Sequence, residues 1–298
     1  MADKHILHML SPLGHVSPFD ANMALDAGFD AVLPYTGVTQ KDVAGLVQDA
    51  IFSRPPKDEV KTGVFIGGKD ALAALDMLDA AKEAMVLPFI ISLLADPSGS
   101  FTTAAAMVAR TEKLLRTEHQ RGLEGLKVVV FGATGVVGFA SGVIAALHGA
   151  KVVLAGYDGP ERVGRAAAEI GRRFGVTVDS GDASSDELKA GLLREAEAAF
   201  CAGRAGVPIL SAGLLREAPR LLVVADVNAV PPAGVEGLDA MADKAALRGT
   251  GALGIGALAI GQIKYRTEFG LFRRMVEATK PVRFDFRDAF ALARELLA

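Results

Sequence analysis

The stretch that most restricts the fold of this chain is Leu126-Lys-Val-Val-Val-Phe131, which runs directly into Gly132-Ala-Thr-Gly-Val-Val-Gly138 and an apolar helical segment. A short β-branched run of this kind reads as a buried strand. The glycines are spaced G-x-x-G-x-x-G, with one more residue between the first pair than in G-x-G-x-x-G, yet strand, glycine loop and helix follow in the order of a dinucleotide-binding unit. Gly132 suits a tight turn, and Gly138 suits close packing of the helix. Thr134, Gly135, Val136 and Val137 lie where backbone approaches a pyrophosphate and where a helix N-terminus offers unpaired N–H groups. A second strand, Lys151 to Ala155, ends in Gly156-Tyr-Asp-Gly-Pro. Asp158 lies 20 residues past Gly138, where a carboxylate can accept from the adenosine ribose hydroxyls. A nicotinamide dinucleotide is the expected ligand, and a purely structural glycine turn is the alternative. The phosphate-loop pattern G-x-x-x-x-G-K-[ST] does not occur here.

The choice between NAD and NADP stays open. Asp158 favours NAD because its charge repels a 2′-phosphate, whereas Arg162 and Arg165 either pair with that phosphate or make ordinary helix-surface contacts. Tyr157 either stacks on adenine or packs on the sheet. Further strands are expected at Ala198 to Cys201 and Leu221 to Ala225. Their ends, Ala202-Gly203-Arg204 and Asp226 to Pro232, are predicted to border the nicotinamide ribose and ring. Asn228 offers both a donor and an acceptor there. Cys201 reads as a small apolar neighbour of the cofactor and not as a nucleophile. Gly254 and Gly256, within Gly251-Ala-Leu-Gly-Ile-Gly256, suit either a crowded wall beside a planar ring or plain helix packing.

With 298 residues, the chain has room for two domains at roughly 150 residues each. Its residues are 51% hydrophobic and its formal charge is −3, which marks a folding chain without a broad surface for polyanions, so no nucleic-acid partner is expected. A single cysteine excludes an internal disulfide, and no histidine pattern suggests a metal site. Apolar runs are too short to span a bilayer, and Met1 to His8 carries no basic leader, so a cytoplasmic location is expected.

Residues 1–119 alternate short strands (His5 to Met9, Ala31 to Pro34, Lys61 to Ile66) with helices (Pro18 to Ala27, Asp42 to Phe52, Asp70 to Ala84). A long helix is expected from Thr102 to about Leu115. Asp96, Thr102 and Thr103 either form its turn and cap or face a ligand. The polar segment from His119 to Gly125 places a boundary near residue 120. A helix carrying Gln262, Lys264 and Tyr265 is expected after Gly256, and a long helix from Thr267 and a terminal helix from about Phe286 end the chain. The expected fold is α/β and two-domain: residues 1–119 completed by 270–298, and a Rossmann-like domain with a mainly parallel sheet over 120–269. No constellation demands general acid–base chemistry. His5, His8 and His15 are as well explained structurally, and hydride transfer needs no protein base when the substrate is electronically prepared.

Ser17-Pro-Phe-Asp20, Tyr35-Thr-Gly37, Asp49-Ala-Ile-Phe-Ser-Arg54, Phe65-Ile-Gly-Gly-Lys-Asp70 and Asp96-Pro-Ser-Gly-Ser-Phe-Thr-Thr103 resemble the first domain of bacterial methylene-tetrahydromethanopterin dehydrogenases. The glycine loop, Ala225-Asp-Val-Asn-Ala-Val-Pro-Pro-Ala-Gly234, Gly251 to Gly256 and Phe284-Asp-Phe-Arg-Asp-Ala289 extend the resemblance over essentially the whole chain. It implies oxidation of the methylene bridge of tetrahydromethanopterin to a methenyl bridge, with hydride passed to NADP or NAD, in formaldehyde oxidation. It also implies a homo-oligomer, a trimer among the arrangements, and a pterin site in the cleft between the domains. By motif, that site takes in Asp20, Gly67, Gly68, Lys69, Asp96, Ser100, Thr102 and Thr103. Cofactor binding falls to Gly132, Thr134, Gly135, Val136, Val137, Tyr157, Asp158, Arg162, Cys201, Ala202, Gly203, Asn228, Gly254 and Gly256. Cys201 stands where the family has a small hydroxyl residue, and Tyr157-Asp158 stands where strictly NADP-dependent members have a basic residue. No catalytic residue is firmly assigned, and Lys264 is the one candidate. The alternatives are the same chemistry on tetrahydrofolate, and a non-catalytic NAD(P)-binding sensor or scaffold.

Overall fold

The computed structural model describes residues 4–298; residues 1–3, part of the amino-terminal segment considered above, lie outside the described residues. Strands and helices alternate as β1 (Ile6–Ser11), α1 (Pro18–Asp26), β2 (Ala31–Thr36), α2 (Gln40–Phe52), β3 (Thr62–Ile66), α3 (Ala71–Glu83), β4 (Ser92–Ala95) and α4 (Ser100–His119). They continue as β5 (Lys127–Phe131), α5 (Val136–Leu147), β6 (Lys151–Gly156), α6 (Pro160–Phe174), β7 (Asp179–Asp182), α7 (Asp186–Leu193), β8 (Ala198–Cys201), α8 (Ala212–Arg216) and β9 (Val223–Asp226). The chain closes with β10 (Asp243–Ala246), β11 (Leu253–Ile255), α9 (Ala257–Glu277), β12 (Arg283–Phe284) and α10 (Phe286–Leu297).

Local chemistry explains several of these boundaries. Ser17 caps α1 by accepting the Asp20 N–H at 3.3 Å, with Pro18 in the first turn. Asp70 caps α3 through the Ala73 N–H at 2.8 Å. Three sequence expectations need correction. The helix expected over Thr102 to Leu115 runs from Ser100 to His119. Its first amides are met from outside the helix, because the Asp96 carboxylate accepts from the N–H of Phe101 at 2.8 Å and of Thr102 at 3.3 Å. Part of the glycine-rich segment at 251–256 is strand β11, and the helix expected after it, carrying Gln262, Lys264 and Tyr265, runs without a break into the one expected from Thr267, as α9. The strand expected from Leu221 begins at Val223.

Contacts divide the chain into two compact units: one running to Thr102 and joined by Tyr265–Leu292, the other comprising Thr103–Lys264 and Ala293–Ala298. Residues 103–119, expected with the first domain, thus group with the second unit. Unit 1 carries a five-stranded sheet, β12-β4-β3-β1-β2, in which every pairing is parallel. Parallel sheets are covered on both faces, which matches the continuous burial of β3 and β4. The carboxy-terminal return supplies part of this core. The fully buried Phe272 of α9 lies 5.5 Å from Phe65 of β3 and 6.2 Å from Phe29, ring centre to ring centre.

Unit 2 carries a seven-stranded sheet, β10-β11-β9-β8-β5-β6-β7, parallel except for the antiparallel β10–β11 pair. Its core gathers Val129, Phe131, Leu193, Ala199, Cys201 and Val224 with residues of α7 and α8. Because Phe272 joins residues far apart in sequence, Phe272→Ala is expected to destabilise the protein by about 3–5 kcal/mol in urea unfolding.

Candidate functional site

The strand order of unit 2 reverses beside β5: β6 and β7 lie to one side, β8 and β9 to the other. Crevices at the carboxyl ends of such strands receive ligands. Phe131 leads into Gly132, whose φ is +75° and whose missing side chain leaves space that a Cβ would lose to the carbonyl of Ala202 at the end of β8. At Gly138 a Cβ would overlap the Gly132 carbonyl, so the first turn of α5 sits directly on the loop. Val136, Val137 and Gly138 occupy this first turn, where helix geometry leaves N–H groups without partners inside the helix. Above them opens a crevice of about 660 Å³, within the usual size of cofactor pockets. The close backbone approach, the glycine cradle and the crevice volume fit a dinucleotide.

Gly132, Thr134, Gly135, Tyr157, Arg162, Ala202 and Gly203 all line this crevice. Asp158 is not a lining residue but is bonded to one, its carboxylate accepting from Arg162 at 2.8 Å. That bond holds the Asp158 carboxyl below the usual range, and the same contact raises the Arg162 guanidinium. Arg162 also reaches the Thr134 hydroxyl at 3.4 Å. Tyr157 is 70% exposed, so its ring is open to a ligand and is not packed on the sheet. Sequence reading did not single out Lys189 of α7 as a lining residue, and it named Arg204 only as part of the loop after β8; both line the crevice. The helical pattern around Lys189 resembles any solvated face, so nothing local marks it.

Other candidates are buried behind this surface. Cys201 is fully buried, and burial pushes its thiol well up. Asn228 was expected to meet the ribose or carboxamide, but its side chain is used internally. Its Oδ1 accepts from Gly206 N at 3.2 Å and Val230 N at 3.0 Å, while its Nδ2 donates to the Pro232 carbonyl at 2.9 Å. It therefore ties the loop after β8, a wall of the crevice, to the loop after β9. Asp226 anchors the second loop by accepting from the N–H groups of Asn228 at 2.9 Å and Val235 at 3.0 Å, and burial raises its carboxyl. Gly254 faces Leu238 and Gly256 faces backbone at Asp239 and Ala240, so both serve packing in β11 and at the start of α9.

In unit 1, Asp20, Gly67 and Gly68 come together around a small hollow of about 40 Å³ at the ends of β1 and β3, with Ser11, Ser17 and Ser98. Asp20 is only 2% exposed. The Ser98 hydroxyl donates to the Gly68 carbonyl at 2.7 Å, fixing the loop after β4 against the glycine pair. Lys69 follows in an exposed position. Asp96 and Thr102 are instead fully buried against each other, the Thr102 hydroxyl donating to Asp96 at 2.6 Å. Ser100 and Thr103 lie half-buried in the first turn of α4, and Lys264 lies half-buried on α9.

Residues 18–98 match the family described as methylene-tetrahydromethanopterin dehydrogenase, N-terminal. The chain is 51% identical over 293 residues, 98% of its own length and 99% of the relative's, to an NAD(P)-dependent methylenetetrahydromethanopterin dehydrogenase of Methylorubrum extorquens. It is 34% identical to the bifunctional protein MdtA of the same organism, covering 94% of each chain. Among solved structures, shikimate 5-dehydrogenase from Listeria monocytogenes, in complex with shikimate and NAD, aligns with a TM-score of 0.53 at 16% identity, covering 91% of this chain and 92% of its own. Quinate dehydrogenase from Corynebacterium glutamicum, in complex with NAD, gives 0.52 at 17% identity, covering 92% and 98%. These two share the fold.

Two substitutions test the crevice. Gly132→Ala forces a side chain into the Ala202 backbone at a positive φ and is expected to abolish tight NADH binding, read by fluorescence titration. Asn228→Ala leaves buried N–H groups unsatisfied, so a loss of about 1–3 kcal/mol in chemical unfolding is expected, with weakened NADH binding.

Proposed function

The chain belongs to the methylene-tetrahydromethanopterin dehydrogenase family, and from that membership we propose that it transfers hydride from 5,10-methylene-tetrahydromethanopterin to NAD(P), giving the 5,10-methenyl carrier. The observation that carries this reading is the 51% identity with an NAD(P)-dependent relative over 98% of the chain. The glycine cradle and the crevice of unit 2 support it, because they suit a dinucleotide.

The nicotinamide ring supplies the hydride acceptor when bound. Loss of hydride leaves a cation that the two nitrogens flanking the carbon share through their lone pairs, so no residue has to remove a proton. The work left to the protein is binding, orientation and exclusion of water. In unit 2, the Gly132–Gly138 loop and the first amides of α5 would hold the pyrophosphate. Asp158 would accept from ribose hydroxyls, and the loop after β8, braced by Asn228, would support the nicotinamide side. In unit 1, Asp20, Gly67, Gly68 and Lys69 are the residues we assign to the carrier. Ser100 and Thr103, near the start of α4, are further candidates. Asp96 and Thr102 shape that helix start from within the core. Lys264 remains the one candidate for a cationic side chain at the reacting end.

We further assign the enzyme to formaldehyde oxidation as a cytoplasmic homo-oligomer, a reading supported by family membership. Among the described residues, no helix is long and apolar enough to cross a membrane.

The test supplies purified protein with the methylene forms of tetrahydromethanopterin and tetrahydrofolate, each with NAD and with NADP. Methenyl absorbance and reduced cofactor are followed separately. Equal formation of both products on the methanopterin carrier is expected. Activity confined to the folate carrier would replace the substrate, and binding without turnover on either would point to a sensor. Asp158→Asn removes a charge that opposes a 2′-phosphate, and it is expected to raise kcat/KM for NADP relative to NAD by roughly tenfold.

A further inference from the structure

Lys189 belongs to the crevice of unit 2, yet neither the glycine loop nor the acidic residue after β6 predicts it. It lies in the first half of α7, which follows β7, and β7 is the strand beyond β6 on the side of the sheet away from β8. A dinucleotide laid across this order places its adenosine toward β6 and β7, where Asp158 marks the ribose. The Lys189 side chain is only 20% exposed, and its ammonium contacts the Asp186 carboxylate at 3.0 Å; Asp186 itself is 66% exposed. Arg162, on α6, which precedes α7 in the chain and packs on the opposite face of the sheet, is held in the same way, by Asp158 at 2.8 Å. Among the described residues lining the crevice, the charged side chains are Arg162, Lys189 and Arg204, all cationic. Each of the first two cations is therefore parked on a carboxylate of its own helix or helix start while its body faces the crevice.

Such short-range surface pairs are weak and are screened by salt. A phosphate monoester carries close to two negative charges and presents three acceptor oxygens, so it competes successfully for both cations. A neutral ribose hydroxyl does not. We propose that Lys189 is a specificity-determining residue that joins Arg162 in receiving the 2′-phosphate of NADP, both cations leaving their helix carboxylates for it and staying on them when NAD binds. The inference rests on the reading of this crevice as the NAD(P) site. It explains how a chain with Asp158 beside the ribose can use both cofactors: the charge that opposes NADP is balanced by cations that cost NAD nothing.

The experiment measures binding of 2′,5′-ADP and 5′-AMP to the full-length protein by isothermal titration calorimetry, with wild type, Lys189→Gln and Lys189→Arg. Circular dichroism checks that each variant is folded. Lys189→Gln is expected to weaken 2′,5′-ADP at least about tenfold more than 5′-AMP, the effect of one charge-assisted hydrogen bond, and Lys189→Arg is expected to recover most of that loss. Asp186→Asn, which frees the ammonium, is expected to tighten 2′,5′-ADP relative to 5′-AMP. In turnover, the ratio of kcat/KM for NADP over NAD should fall in Lys189→Gln by the same factor as the binding ratio. Equal loss for both nucleotides would overturn the proposal by placing Lys189 on the shared adenosine, and no loss for either would overturn it outright. Failure of the wild-type protein to bind either nucleotide or NADPH would instead overturn the crevice reading itself.

Discussion

The arrangement of unit 2 depends on one close approach of backbone to backbone. The end of β5 and the end of β8 are paired, with Ala202 N donating to the Phe131 carbonyl at 2.9 Å, and the next residue, Gly132, turns into space that no side chain can share with Ala202. From this contact follow the angle at which α5 leaves the sheet, the direction of its first amides and the width of the crevice. The loop after β8 must then hold its place without help from regular structure. Asn228 provides that support by bonding to backbone on both sides of the gap, and the buried Asp226 carboxylate in turn holds Asn228.

Much of this was legible in the sequence because the relevant forces are local. A valine run before a glycine loop specifies strand, turn and helix within a dozen residues, and Ser17-Pro18 and Asp70 announce helix starts through capping chemistry. Among the strands that escaped, β4 is a short, fully buried apolar run, while others form only because of their neighbours. Strand β7 is Asp-Ser-Gly-Asp and has no apolar alternation, but it pairs at an edge of the sheet with β6, where its side chains need not be buried. Strand β11 hides in a glycine-rich segment, and β12 spans two residues that pair with β4.

At the candidate site the limit was different. Sequence patterns identify polar residues near a loop but do not say whether their hydrogen bonds turn inward or toward a ligand. Asn228 and the pair Asp96–Thr102 turn inward: all are buried, and their polar atoms are consumed by backbone or by each other. Lys189 shows the opposite outcome. On paper it is one charge on an amphipathic helix, and only the crossing of α7 between β7 and β8 brings it to the crevice wall. Residues contributed by a topological crossing carry no signature at the level of local spacing.

The construction of unit 1 also constrains how the chain comes into being. Its outer strand β12 and the Phe272 ring that packs on Phe65 come from a segment that follows most of unit 2 in the chain, whereas most of unit 2 is one continuous stretch. On a ribosome adding about 5–20 residues each second, the first strands would wait on the order of ten to fifty seconds for their missing neighbours. During that interval the edge of β4 and the apolar face around Phe65 lack their native cover, while unit 2 has nearly all its own partners. Vectorial synthesis thus lets the second half of the sequence mature before the first, and it makes the emerging amino-terminal sheet the part of the molecule most in need of chaperone protection.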